Sequence, residues 1–166
     1  MFLFLPLTLV NCKFLKLSFR VLSVGMSEDT DVEDAVAALR RALSEPSEGN
    51  VVNLLEALLP FAPPGLEWGI EFSYLAGITY MLEDGKVLAV RVSRDEFGPF
   101  MQTSVASVGL EAVPSQALKQ VVDDVGGFAH RVAKHLRSWL ERAPPNHPKR
   151  GRVAKLLEAL EKEGVA

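Results

Sequence analysis

Asp84-Gly85 lies between YLAGITYMLE and KVLAVRV, two runs rich in Ile, Val, Tyr and Thr. An Asp-Gly connection between such runs is a strong short-range signal for a β-hairpin with a type I′ turn, and it fixes the register by pairing Glu83 with Lys86. A fixed register assigns every side chain to a face. One face receives Leu75, Thr79, Met81, Leu88, Val90 and Val92. The other receives Tyr74, Ile78, Tyr80, Leu82, Val87, Ala89 and Arg91. A hairpin with one solvated side alternates apolar and polar residues. This one is apolar on both sides, so the fold must supply two covers, or leave one face for something else.

The flanking periodicities frame the hairpin. Thr30-Asp31-Val32-Glu33 has the form of a capping box, and Val32, Val36, Leu39 and Leu43 follow at helical spacing, which predicts an amphipathic helix over 31–45. Asn50 is placed to cap a second helix carrying Val51, Leu54, Leu55, Leu58 and Leu59 and stopped by Pro60. The period then changes to two: LEWGIEF, 66–72, alternates apolar and polar residues and predicts a half-buried strand. FMQTSVASV, 100–108, predicts a fourth strand after the tight connection 95–99. From Ser115 the helical period returns, with Leu118, Val121, Val122, Val125, Phe128, Val132, Leu136 and Leu140 on one stripe to about Arg142 and a kink or close approach at Gly126-Gly127. APPNHP, 143–148, interrupts it, and a last helix over about 149–163 carries Val153, Leu156, Leu157 and Leu160. Short links between successive strands imply a meander. The expected class is α+β: a four-stranded antiparallel meander with two N-terminal helices, one long helix and a C-terminal helix. Residues 26–142 form the main domain, and 143–166 a Pro-rich hinge and a helix suited to oligomerisation.

Residues 1–25 stand apart. Their apolar opening precedes its basic residues, Lys13, Lys16 and Arg20, which is the reverse of a signal peptide, and spans about half the length a bilayer requires. The reading adopted is an over-extended leader that is not translated, with Met26 as the start and a cytoplasmic protein as the product. The alternative is an interfacial anchor, in which case a membrane becomes a partner.

The residue inventory argues against enzyme classes. Cys12 is the one cysteine, so neither a disulfide framework nor a thiolate metal site is implied. His130 and His135 are turned roughly 140° apart on a helix, which is not ligand spacing. DEFG at 95–98 has the look of a kinase triplet without the glycine loop or catalytic loop that gives it meaning. Asp95 and Glu96 with Glu67 or Glu71 offer an acidic cluster only if the fold makes them converge. No catalytic residue, cofactor, metal or small-molecule substrate is implied.

Charge is more informative. The net charge is only −3, but residues 26–72 hold ten acids against Arg40 and Arg41, whereas 130–155 hold eight Lys or Arg against Glu141 alone. Two surfaces follow. On the second hairpin face, Tyr74, Ile78 and Tyr80 lie beside Arg91, with Lys86 at the tip and Arg94, Phe97 and Phe100 beyond. Aromatic platforms with cations at the margin are what single-stranded nucleic acid requires. On the long helix, Arg131, Lys134 and Arg137 lie off the apolar stripe and extend the arrangement as a phosphate track. The same residues also fit a sheet sandwiched between its own helices, a dimer interface, or a merely solvated basic face. Val153, Leu156, Leu157 and Leu160 are too few for an independent coiled coil, but the hinge lets them meet a second copy.

The element order, together with the segments LEWGIEF, YLAGITYMLEDGKVLAVRV and SRDEFGPF, resembles the ThermoDBP family of archaeal single-stranded DNA-binding proteins and their relatives. The resemblance covers about 30–163. It implies a helix-covered sheet with a hydrophobic, base-flanked cleft for single strands and a C-terminal part that sets the oligomer. The expected function is therefore non-catalytic binding of single-stranded nucleic acid, DNA before RNA, by a homo-oligomer joined through the C-terminal helix or the outer sheet face. The alternative is a structural or regulatory protein–protein assembly module.

Overall fold

The computed structural model describes residues 28–94 and 101–165. Helix α1 runs Glu28–Ser44 and α2 runs Glu48–Leu58. The cap of α2 is Ser47 rather than Asn50: the Ser47 hydroxyl accepts a hydrogen bond from the Asn50 amide at 3.3 Å. Pro60 turns the chain through a short 3-10 segment, Leu59–Phe61, and leaves Phe61 and Ala62 fully buried.

The expected strand over 66–72 is only half realised. Leu66–Trp68 is a 3-10 turn entered through Gly65 at φ 97°, and β1 begins at Ile70 and ends at Leu75. The partner strand explains the shortening. β2, Ile78–Glu83, reaches its turn immediately after Leu82 pairs with Ile70, so 66–69 have no strand to face. The turn is held from the helical side instead. His135 Nε2 donates to the Trp68 carbonyl at 2.6 Å, and the Arg142 guanidinium lies 5.4 Å from the Trp68 ring centroid.

β3 is Lys86–Arg94 and β4 is Met101–Val108, and the sheet is an antiparallel meander in the order β1-β2-β3-β4. The β2–β3 register is the expected one, Glu83 to Lys86, with Asp84 and Gly85 at φ 44° and 79° as a type I′ turn demands.

The long helix expected over 115–142 is two helices, α3 Ser115–Val122 and α4 Val125–Arg142. The break falls at Asp123-Asp124. Asp124 caps α4 by accepting from the Gly127 amide at 2.8 Å, and a Cβ on Gly127 would lie 2.0 Å from that carboxylate. The Gly-Gly pair thus belongs to a helix start, not to a kink.

Helix α5, Arg150–Lys162, folds back on α4 and α1. Val153, Leu156, Leu157 and Leu160 all enter the main core, so the expected oligomerisation surface is used within the chain. Arg150 donates to the Leu140 and Ala143 carbonyls, which satisfies the open end of α4. Arg40–Glu163, Lys155–Asp29 and Arg152–Asp31 ion pairs tie α5 to α1. No described helix is long and apolar enough to cross a membrane.

Candidate nucleic-acid interface

Residues opposite one another in an antiparallel ladder share a face. Tyr80 and Ala89, Leu82 and Val87, Ile78 and Arg91 therefore project together, and it is this side that receives the helices: Ile70, Phe72, Tyr80, Leu82 and Val87 join α1–α5 in one core. The opposite side holds Thr79, Met81, Leu88, Val90 and Val92, continued on β4 by Met101, Thr103, Val105 and Ser107. Met81, Leu88 and Val90 form a separate small buried cluster that no residue of a described helix joins. The helix cover thus falls on the Tyr80 side, contrary to the expected arrangement.

Tyr74 is the exception, and its position corrects the parity of the sequence reading. Ala76 and Gly77 form a further turn with both φ positive, 51° and 79°, and Leu75 pairs with Ile78 across it. Crossing that turn inverts the odd–even count. Tyr74 therefore faces Thr79 and lies on the side away from the helices, 65% exposed, while Ser73 faces Tyr80 and is buried. An irregularity between Glu71 and Ser73 lets both Phe72 and Ser73 enter the core. The Ser73 hydroxyl has no hydrogen-bond partner there.

The expected binding residues thus separate. Tyr80 is 6% exposed against Phe72, with ring centroids 6.2 Å apart, and is a core residue rather than a stacking platform. Ile78 is half-buried on the helical side. Arg91 is exposed, but its register places it on the helical side of the sheet, away from Tyr74. Lys86 is exposed at the hairpin tip, and Arg94 stands at the other end of β3 opposite Met101; both register positions belong to the Tyr74 side. Phe97 and Phe100 lie outside the described residues, as do Asp95 and Glu96. Val92, Met101 and Val105, which are 51%, 70% and 45% exposed, were not among the expected site residues; the β2–β3 and β3–β4 registers set their face, and the Ala76-Gly77 turn brings Tyr74 to it.

The basic stretch is less available than its composition implies. Arg131 pairs with Asp124 at 3.4 Å, Arg137 with Glu161 at 2.9 Å, and Lys149 with Asp84 at 2.6 Å. Arg152 and Lys155 are held by acids of α1. Two acids of α1, Asp29 and Asp31, thus pair with bases of α5, and three further cations of the stretch pair with Asp84, Asp124 and Glu161. Lys134 is exposed on α4. The Lys149 ammonium, which hydrogen-bonds the Asp84 carboxylate and attracts it coulombically, holds that carboxyl below its ordinary range.

A separate shallow cleft of about 260 Å³ is lined by Trp68, Trp139, Arg142, His147 and two prolines, Pro64 and Pro144. Sequence reasoning missed it because its parts are 79 positions apart, from Trp68 to His147, and meet only through the fold-back of the hinge. Among the described residues no three His, Cys, Asp or Glu side chains converge as a metal site. No protein-family model, no curated protein and no solved structure matches this chain.

Proposed function

We propose that this chain is a non-catalytic binding protein that takes single-stranded nucleic acid, DNA in the first instance, on the sheet face turned away from the helices. The observation that carries the reading is Tyr74. Its ring is 65% exposed on a face that also presents Val92, Met101 and Val105, with Lys86 and Arg94 at the two ends of β3. A flat apolar surface with an aromatic ring stacks bases of any identity, and two marginal cations take phosphates. The likeness to the ThermoDBP family points the same way. The site has moved, however, from the Tyr80 side to the Tyr74 side.

Few cations on that face imply a weak salt dependence. Single-strand affinity falls with log salt at a slope of about −0.7 per phosphate neutralised, so Lys86 and Arg94 together give about −1.4. If all eight basic residues of 130–155 formed the track, the slope would be about −5 to −6. Titrating a fluorescently labelled homopolymer at several salt concentrations reads this directly. A shallow slope supports the face, a steep one moves the site to the helices, and no binding at low salt removes the proposal.

The second reading, a protein assembly module, is favoured by the ion pairing of the basic stretch and by the β4 edge strand, which is uncharged and exposed from Met101 to Ser107. It expects no affinity for single strands at physiological salt.

A further inference from the structure

The two edges of this sheet are treated differently. At the β1 edge, the Gln120 side chain from α3 donates to the Tyr74 carbonyl at 2.8 Å and accepts from the Tyr74 amide at 3.2 Å. One amide side chain thus imitates the next strand, and α3 packs along β1 beside it. An irregular register at Glu71–Ser73 interrupts that edge further. These are devices by which sheets prevent pairing with another chain.

The β4 edge carries none of them. Its sequence, MQTSVASV, has no charge, no proline and no glycine, and Met101 through Ser107 are exposed. Its register with β3 is unbroken over all eight residues, from Arg94–Met101 to Val87–Val108. The direction of its free groups follows from the hairpin. A two-residue turn is closed by a hydrogen-bonded pair, here Glu83 and Lys86, and such pairs alternate along the ladder. Val87, Ala89, Arg91 and Ser93 therefore bond to β4, through Val108, Ala106, Ser104 and Gln102. The amides and carbonyls of Met101, Thr103, Val105 and Ser107 point outward.

We infer that β4 is a self-association edge: it pairs antiparallel with β4 of a second copy, about a twofold axis through Val105, to make a continuous eight-stranded sheet. The partner is argued from charge and geometry. An uncharged strand opposes itself without like-charge contacts, which a strand bearing Lys or Glu cannot do. A twofold axis brings each outward amide to an outward carbonyl of the other copy. Opposite residues share a face, so Val105 and Met101 of both copies join one apolar surface, and neither copy places a charge at the seam. One strand pair buries an area at the low end of specific interfaces, so the dimer is expected to dissociate on dilution. The inference does not depend on nucleic-acid binding.

The test uses the full chain in sedimentation-velocity runs over a dilution series, with Val105→Lys, Val105→Glu and their equimolar mixture. The wild type is expected to show a concentration-dependent dimer. Each variant alone is expected to be monomeric with an unchanged circular-dichroism melt, and the mixture to dimerise again, because opposite charges then meet across the axis. Three results overturn the inference: a wild type monomeric at every concentration, dimers that persist in both variants, or a mixture that stays monomeric while both variants are folded. A wild type that associates only after residues 1–27 are removed also overturns it, since that segment then occupies the edge.

Discussion

Replacing Tyr74 and Tyr80 by Ala, one at a time, separates the two sides of the sheet. Tyr80 is 6% exposed and packed on Phe72, so Tyr80→Ala leaves a ring-sized hole in the main core and is expected to cost about 3–5 kcal/mol. Tyr74 is 65% exposed, and its backbone hydrogen bonds are made to Gln120, whatever side chain it carries. Tyr74→Ala is therefore expected to change stability by no more than about 0.5 kcal/mol. Its effect on binding is separate. Loss of one stacked base is worth about 1–3 kcal/mol, or roughly 5- to 150-fold in affinity for a labelled single strand. Urea unfolding gives the first quantity and fluorescence anisotropy the second. The reasoning is refuted if Tyr74→Ala binds as tightly as the wild type. It fails equally if Tyr80→Ala, still folded at low temperature, is the variant that loses affinity.

Three further outcomes test the packing that positions this face. Lys149 Nζ donates to the carbonyl of fully buried Ala62 at 3.0 Å, so Lys149→Met should orphan that carbonyl and cost about 1–3 kcal/mol in urea unfolding; no loss would mean another donor takes over. Ser73→Ala removes a buried hydroxyl that lacks a partner and should leave stability unchanged or raise it by about 1 kcal/mol, and a comparable loss in the same assay would show the hydroxyl to be bonded. The carboxyls of Asp84, Glu158 and Glu163 are held below their ordinary range by hydrogen bonds from Lys149, Lys162 and Arg40. Groups depressed in the folded state stabilise it above their unfolded pKa, and that contribution disappears as pH falls through the folded values. The urea midpoint should therefore drop on acidification, less so in high salt, and a midpoint independent of pH would contradict the pairings.

The order of elements was legible because it depends on local periodicity: the change from helical spacing to alternation at 66 and back at 115 marks the layers without any tertiary information. The β2–β3 register was legible because Asp-Gly admits so few turn geometries. Which side of the hairpin the helices cover was not, since both sides are apolar and the choice is made by α3 and α4 packing on β1. Tyr74 was assigned to the wrong side for a more instructive reason. Ala at positive φ is uncommon, so Ala76-Gly77 does not announce a turn as Asp84-Gly85 does, yet one missed turn inverts the side chains from Ser73 to Leu75, until the irregularity after Glu71 restores the count at Ile70. The basic run misled in another way. Its partners, Asp29, Asp31, Asp84, Asp124 and Glu161, are distant in sequence except Asp124, and composition does not show which acids the fold will bring to it.

Face and edge have a joint consequence. Antiparallel pairing of β4 with its copy about a twofold axis leaves both Tyr74-bearing faces on the same side of the joined sheet. A short oligonucleotide covers one copy and meets Lys86 and Arg94 once, giving a log–log salt slope of about −1.4. A strand long enough to cross the axis meets both pairs, and the slope should become about −2.8. Affinity should then rise by more than the added length explains, because the second engagement is intramolecular. Measuring the slope against oligonucleotide length separates the two proposals. A step in slope that disappears on dilution below the dimer's dissociation range requires both of them. A shallow slope at every length leaves the face and removes the edge from binding. A slope that grows smoothly from the shortest oligonucleotide, with no step, fits neither surface and would direct attention to the cations of α4 instead.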